Sequence, residues 1–77
     1  MKVIGFYEKS FTGRDGTLID GVNIYYTYPL NSGTGFGSSK VFVSSSRLSS
    51  FGYYPSIDDD IELDFNRFGK ITGIRII

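Results

Sequence analysis

Val22-Asn23-Ile24-Tyr25-Tyr26-Thr27-Tyr28-Pro29-Leu30 is the longest alternating run in the chain. Val22, Ile24, Tyr26, Tyr28 and Leu30 fall on one side, and Asn23, Tyr25 and Thr27 on the other. A period of two, carried by β-branched and aromatic residues, predicts a half-buried β-strand. The first side can pack a core. The second lifts Tyr25 out of a polar surface. This is the expected central strand, with the other elements pairing to it or covering it.

Working outward, Lys2–Lys9 reads as the first strand, with Val3, Gly5 and Tyr7 on one side and Ile4 and Phe6 on the other. Gly5 marks a bend or bulge. Ser10–Gly21 reads as a loop or long hairpin arm. Its turn signals are Thr12-Gly13-Arg14-Asp15-Gly16 and Asp20-Gly21. Arg14 at the tip is either a solvated loop residue or a phosphate contact. Asn31–Ser39 is a glycine-rich linker containing Phe36. Its glycine spacing does not make a dinucleotide loop, because that fingerprint needs a helix after it and Lys40–Ser44 reads as the third strand. In Ser44–Ser50, Ser45 or Ser46 can cap one short helical turn. Phe51–Pro55 is an aromatic loop.

Ile57–Phe65 alternates again. Ile57, Ile61, Leu63 and Phe65 face one way, opposite Asp58, Asp60, Glu62 and Asp64, and Asp59 interrupts the apolar side. Asn66-Arg67-Phe68-Gly69 has Asn first and Gly fourth, as a type I turn prefers, and Lys70–Ile77 is the last strand. Pairing Asn66 with Gly69 sets Ile61 against Ile74 and Asp60 against Arg75. A three-residue loop sets Asn66 against Lys70 and Glu62 against Ile74. The hydrophobic pattern favours the first register, and a bulge at Gly73 reconciles the two.

Five strands and at most one helical turn predict an all-β domain spanning residues 1–77. A small barrel, oligonucleotide-binding (OB-fold-like) or SH3-like, avoids open sheet edges. The chain has 77 residues, no Cys and no His, so a disulfide framework, a Cys/His zinc site, a Ser-His-Asp triad and a Cys nucleophile are all excluded. Small domains lacking such staples rely on a dense core or a partner subunit. Aromatics supply 17% of the residues. Apolar residues on both sides of the first and last strands predict a homodimer. No apolar run approaches the roughly 20 residues of a membrane span, and no signal-peptide pattern opens the chain. A cytoplasmic protein is expected, with no membrane association and no cofactor.

Formal net charge is zero, but five of the eight acids lie in Asp58–Asp64. Outside that stretch three acids stand against eight bases, an excess of five. The acidic run lacks the calcium-loop spacing, and paired carboxylates need a cleft for glycoside hydrolysis. It reads as a solvated strand face, with a weak divalent site as the alternative, and no enzyme is expected. The remaining bases interleave with rings. Tyr25 stands on a polar strand face, Phe68 lies at a hairpin tip between Arg67 and Lys70, and Phe36 sits in a loop. Arg14, Lys40, Arg47 and Arg75 complete the basic set. Rings stack bases while Lys and Arg follow phosphates. Tyr26, Tyr28, Phe42 and Phe65 are expected in the core.

The hairpin from Asn66-Arg67-Phe68-Gly69 to Arg75 resembles that of the small single-stranded-DNA-binding proteins of filamentous phages. These carry a Phe-Gly at a hairpin tip and an Arg seven residues after the Phe, the spacing of Phe68 and Arg75 here. The loop with Arg14, followed by the strand with Tyr25, is similar in layout but not in spacing. The resemblance implies a dimeric five-stranded OB barrel in which Phe68, Arg75 and Arg14 contact DNA. Similar small proteins occur on phages and conjugative elements of Gram-positive bacteria. The acidic strand and zero net charge depart from the family. The leading expectation is thus sequence-tolerant binding of single-stranded DNA in the replication or transfer of a phage or mobile element. RNA is a weaker expectation. The alternative is an SH3-like module that takes a peptide in an aromatic groove.

Overall fold

The computed structural model describes residues 1–77. Its elements are β1 (Lys2–Thr12), β2 (Leu18–Pro29), β3 (Phe36–Ser44), α1 (Ser45–Phe51), β4 (Ile61–Phe65) and β5 (Ile71–Ile76). β2 is central, antiparallel to β1 on one side and to β3 on the other. A twelve-residue strand at about 3.4 Å per residue is about 40 Å long, which sets the 44 Å long dimension of the molecule. The segment Ser10–Gly21 is therefore the far end of a hairpin. Both its arms are strand, and only residues 13–17 turn. β3 likewise begins at Phe36, four residues before the expected Lys40.

β4 and β5 make a second, two-stranded sheet. The sheets meet where the start of β1 crosses residues 58–61. Val3 N donates to Asp59 O (2.9 Å), Asp58 N to Val3 O (2.9 Å) and Ile61 N to Met1 O (2.7 Å). The expected closed barrel is not formed. β1 touches both sheets, but β3 and β5 do not pair, and α1 lies against β2, β3 and β5. β4 and β5, with five and six residues, are short against the long β1–β2–β3 sheet.

The core lies between the sheets and α1: Val3, Val22, Ile24, Val43, Leu48, Tyr53, Ile61, Leu63, Ile71 and Ile74. α1 is seven residues long, nearly two turns. Ser44 stands at its N-cap, not Ser45 or Ser46, and Gly52 closes it in the left-handed conformation. Leu48 is its one buried residue.

Two expectations about β4 and β5 are corrected. β4 starts at Ile61 rather than Ile57. Asp58 adopts φ +70°, and Asp59 turns inward to accept hydrogen bonds from Tyr53 Oη (2.8 Å) and Ser56 N (3.0 Å). The register pairs Ile61 with Ile76, Glu62 with Arg75 and Leu63 with Ile74. This is two residues away from the favoured pairing of Ile61 with Ile74. The same parity is kept, so Ile61, Leu63, Ile74 and Ile76 still share a side. Next to the turn the three-residue-loop register holds, with Phe65 opposite Ile71, and an irregularity beside Gly73 joins the two.

Of the rings expected in the core, only Tyr26 packs against it. Phe65 is exposed. Tyr28 lies over Gly37, where a Cβ would come within 2.6 Å of its ring. Phe42 lies on the opposite side of the sheet from the core, as the register below requires.

Candidate nucleic-acid interface

The two ladders sort the side chains of the large sheet. A bulge between Val3 and Gly5 makes Ile4 the extra residue. Val3 therefore joins Phe6 on the core side, and Gly5, Tyr7, Lys9 and Phe11 fall on the outer side. β2 adds Ile19, Gly21, Asn23, Tyr25 and Thr27 to that outer side, and β3 adds Phe36, Ser38, Lys40 and Phe42. The outer face is built of rings and lysines. Tyr7 stacks on Tyr25 with centroids 6.1 Å apart and planes at 28°. Phe11 and Phe42 lie 5.4 Å apart at 58°. Phe42 covers Gly21, and a Cβ there would also come within 2.6 Å of Val43 O. Asn23 is only 6% exposed, so a polar residue forms the floor beneath the tyrosines.

Lys2, Lys9 and Lys40 share this face. No Asp or Glu of the three strands does, because Glu8 and Asp20 alternate to the other side. The neighbouring Tyr25 hydroxyl holds Tyr7 below the usual tyrosine range. The Asn23 amide and the charges of Lys9 and Lys40 act in the same direction. Tyr25 is pushed up in return by the neighbouring Tyr7 hydroxyl.

Both hairpin tips use one construction. In the first, Gly16 N donates to Gly13 O (3.0 Å) and Gly13 N to Thr17 O (2.8 Å). In the second, Gly69 N donates to Asn66 O (3.0 Å) and Asn66 N to Lys70 O (2.8 Å). This is a type I turn followed by a left-handed residue. Gly16 (φ +82°) and Gly69 (φ +78°) fill that last position without steric cost. Each tip carries an Arg first, Arg14 and Arg67. Asn66 Oδ1 accepts from Phe68 N (2.9 Å) and Lys70 N (3.0 Å), which fixes the second tip. Phe68 stands 74% exposed, with the Arg67 guanidinium 4.9 Å from its ring centre.

Of the residues singled out from sequence, Tyr25 and Lys40 are direct partners across β2 and β3. Phe36 begins β3 on the same face, 73% exposed. Arg14 lies at the β1–β2 tip, and Arg67, Phe68 and Lys70 lie at the β4–β5 tip. Arg75 is placed differently. Its guanidinium donates to both oxygens of Asp64 (3.0 and 3.2 Å) and lies 2.7 Å from Glu62. The expected partner Asp60 instead meets the N-terminal ammonium at 3.4 Å. Asp64, and then the charge of Glu62, raise the Arg75 pKa further. The sequence reading missed Tyr7, Lys9, Phe11 and Phe42 as surface residues. The signal for three of them was the alternation Tyr7-x-Lys9-x-Phe11.

The other side of the large sheet holds a groove of about 430 Å³ between β1, β2 and α1, bounded by Glu8, Val22, Leu48, Tyr53 and Tyr54. Tyr54 Oη donates to Glu8 (2.8 Å), and its ring meets Phe6 edge-on at 5.9 Å. Compared with protein-family models, with curated proteins and with solved structures, the chain finds no match in any of the three.

Proposed function

We propose that this protein is a non-enzymatic single-stranded-DNA-binding module of OB-like architecture, acting on strands exposed in the replication or transfer of a phage or mobile element. The observation that carries the reading is the outer face of β1–β2–β3. It has five rings, four of them in two contacting pairs, three lysines and no carboxylate from its own strands. Bases stack on such rings whatever their identity, and lysines follow the backbone. The layout gives further support. In OB-folds, partly open five-stranded barrels, the face of strands two and three and the loops joining strands one–two and four–five take the oligonucleotide. Here those positions hold Tyr25 with Lys40, Arg14, and Arg67-Phe68 with Lys70. The likeness of the β4–β5 tip to that of filamentous-phage proteins favours DNA over RNA.

The test is fluorescence anisotropy with an oligothymidine and with duplex DNA across a salt series. Preference for the single strand, with affinity falling steeply as salt rises, is the expected result. The absence of binding at low salt would refute the reading. The groove of Tyr53, Tyr54 and Glu8 favours a second reading, a peptide-binding module. Peptide affinity there would fall little with salt.

A further inference from the structure

The bulge in β1 redirects one side chain. Ile4 sits between the pairs Val3–Tyr26 and Gly5–Tyr25 and is 51% exposed. Bulges beside sites re-aim side chains in this way. Ile4 walls a hollow of about 230 Å³ whose other sides are Tyr25, Ser38, Ser39 and Lys40. Gly5, opposite Tyr25, adds nothing to fill it: a Cβ built there meets no atom within 4 Å. Tyr7 pairs with Asn23 and Ser38 with Thr27. Tyr25 therefore has a stacked ring toward Asn23 and the hollow toward Thr27.

We propose that this hollow is a subsite for one nucleobase of a bound single strand, an inference that rests on the single-strand reading above. Its walls match the parts of a nucleotide. Tyr25 offers a ring for stacking, Ile4 an apolar contact, Ser38 a hydroxyl that both donates and accepts toward a base edge, and Lys40 a cation for the adjoining phosphate. The volume falls below the roughly 300–1,000 Å³ of drug-sized sites, so it suits one ring system. An amine ligand would be repelled by Lys40, and a small anion would leave Tyr25 and Ile4 uncovered. A seated base fixes the register of the strand, and its neighbours then run over Tyr7, Phe42 and Phe11.

The test uses a plug. Gly5→Leu places a side chain in the open space opposite Tyr25 and is designed to fill the hollow. Wild type and variant are titrated with an oligothymidine of about eight nucleotides, within the usual site size, and with a wholly abasic chain of the same length and charge. The wild type is expected to prefer the oligothymidine. Gly5→Leu is expected to lose roughly tenfold or more on it, the worth of a stacked base, and to match wild type on the abasic chain. Equal binding of oligothymidine by both proteins overturns the subsite and leaves the single-strand reading standing. Equal loss on both chains also overturns it, because the plug would then act through charge or fold. Failure of the wild type to bind either chain removes the reading and the subsite together. Ser38→Leu fills the hollow from the opposite wall and must repeat the result, including where Gly5→Leu does not fold.

Discussion

Lys40→Ala and Arg75→Ala remove one positive charge each, yet the structure predicts different effects on salt dependence. Affinity for a single strand falls with log salt at a slope of about −0.7 for each phosphate neutralised. Lys2, Lys9 and Lys40 on the sheet face give a slope of about −2.1, and Arg14, Arg67 and Lys70 at the tips extend it to about −4.2. Between about 50 and 200 mM salt that is a loss of roughly 20-fold for the face alone and roughly 300-fold with both tips. Lys40 makes no salt bridge, so Lys40→Ala should flatten the slope by about 0.7. Arg75 is held between Asp64 and Glu62, so Arg75→Ala should leave the slope unchanged. Tyr25→Ala gives a third signature, with affinity down roughly 5- to 150-fold at constant slope. The assay is anisotropy at several salt concentrations, with circular dichroism to confirm folding. A slope unchanged in Lys40→Ala but flattened in Arg75→Ala would refute the reasoning and move the interface to the β4–β5 hairpin.

Other outcomes follow from individual contacts. Burial, the hydrogen bond to Asp59 and the charge of Asp59 raise the Tyr53 pKa. The neutral phenol is thus favoured in the fold, and its contribution is complete below about pH 10, the unfolded value, and lost as pH rises from there. Tyr53→Phe should cost about 1–2 kcal/mol at neutral pH and weaken the decline above about pH 10, as urea unfolding across pH would read. Gly21→Ala should destabilise by about 1–3 kcal/mol, because Phe42 and Val43 O must shift; an unchanged melting temperature would contradict the close approach. Ile57, Ile76 and Ile77 stand exposed, and β3 and β5 keep free edges. Sedimentation at micromolar concentration should therefore give a homodimer, and a clean monomer would dismiss it.

Much of the fold was legible where apolar and polar residues alternate. Val22 and Ile24 are buried as the alternation in Val22–Leu30 requires, and the Asn66–Gly69 turn forms with Gly69 in the left-handed region. Legibility failed where alternation does not say which side is inside. Val41, Phe42 and Val43 are all apolar. Only pairing with β2 puts Val43 beside Val22 and sends Phe42 outward, and a flat Gly21 gives the ring its seat. Asp59 shows a second kind of failure. An acid in the apolar register reads as a flaw in a strand, whereas its carboxylate ends the loop by binding Tyr53 and Ser56.

The candidate interface was hidden by the bulge and by the scatter of its charges along the chain. Read straight, Val3, Gly5 and Tyr7 share a side. If Val3 were core, Tyr7 would be core as well. One extra residue at Ile4 breaks that chain of inference and turns Tyr7, Lys9 and Phe11 outward together. The lysines are equally dispersed, at positions 2, 9 and 40, and only the antiparallel ladders bring them to one surface. The acids need no such gathering. Five of the eight lie together in sequence, and Arg75 of β5 answers Glu62 and Asp64 of β4. A net charge of zero thus averages over the whole chain, the Asp58–Asp64 cluster included, whereas the sheet face carries three lysines and no carboxylate from its own strands, and a phosphate chain responds to the local field of that face rather than to the total.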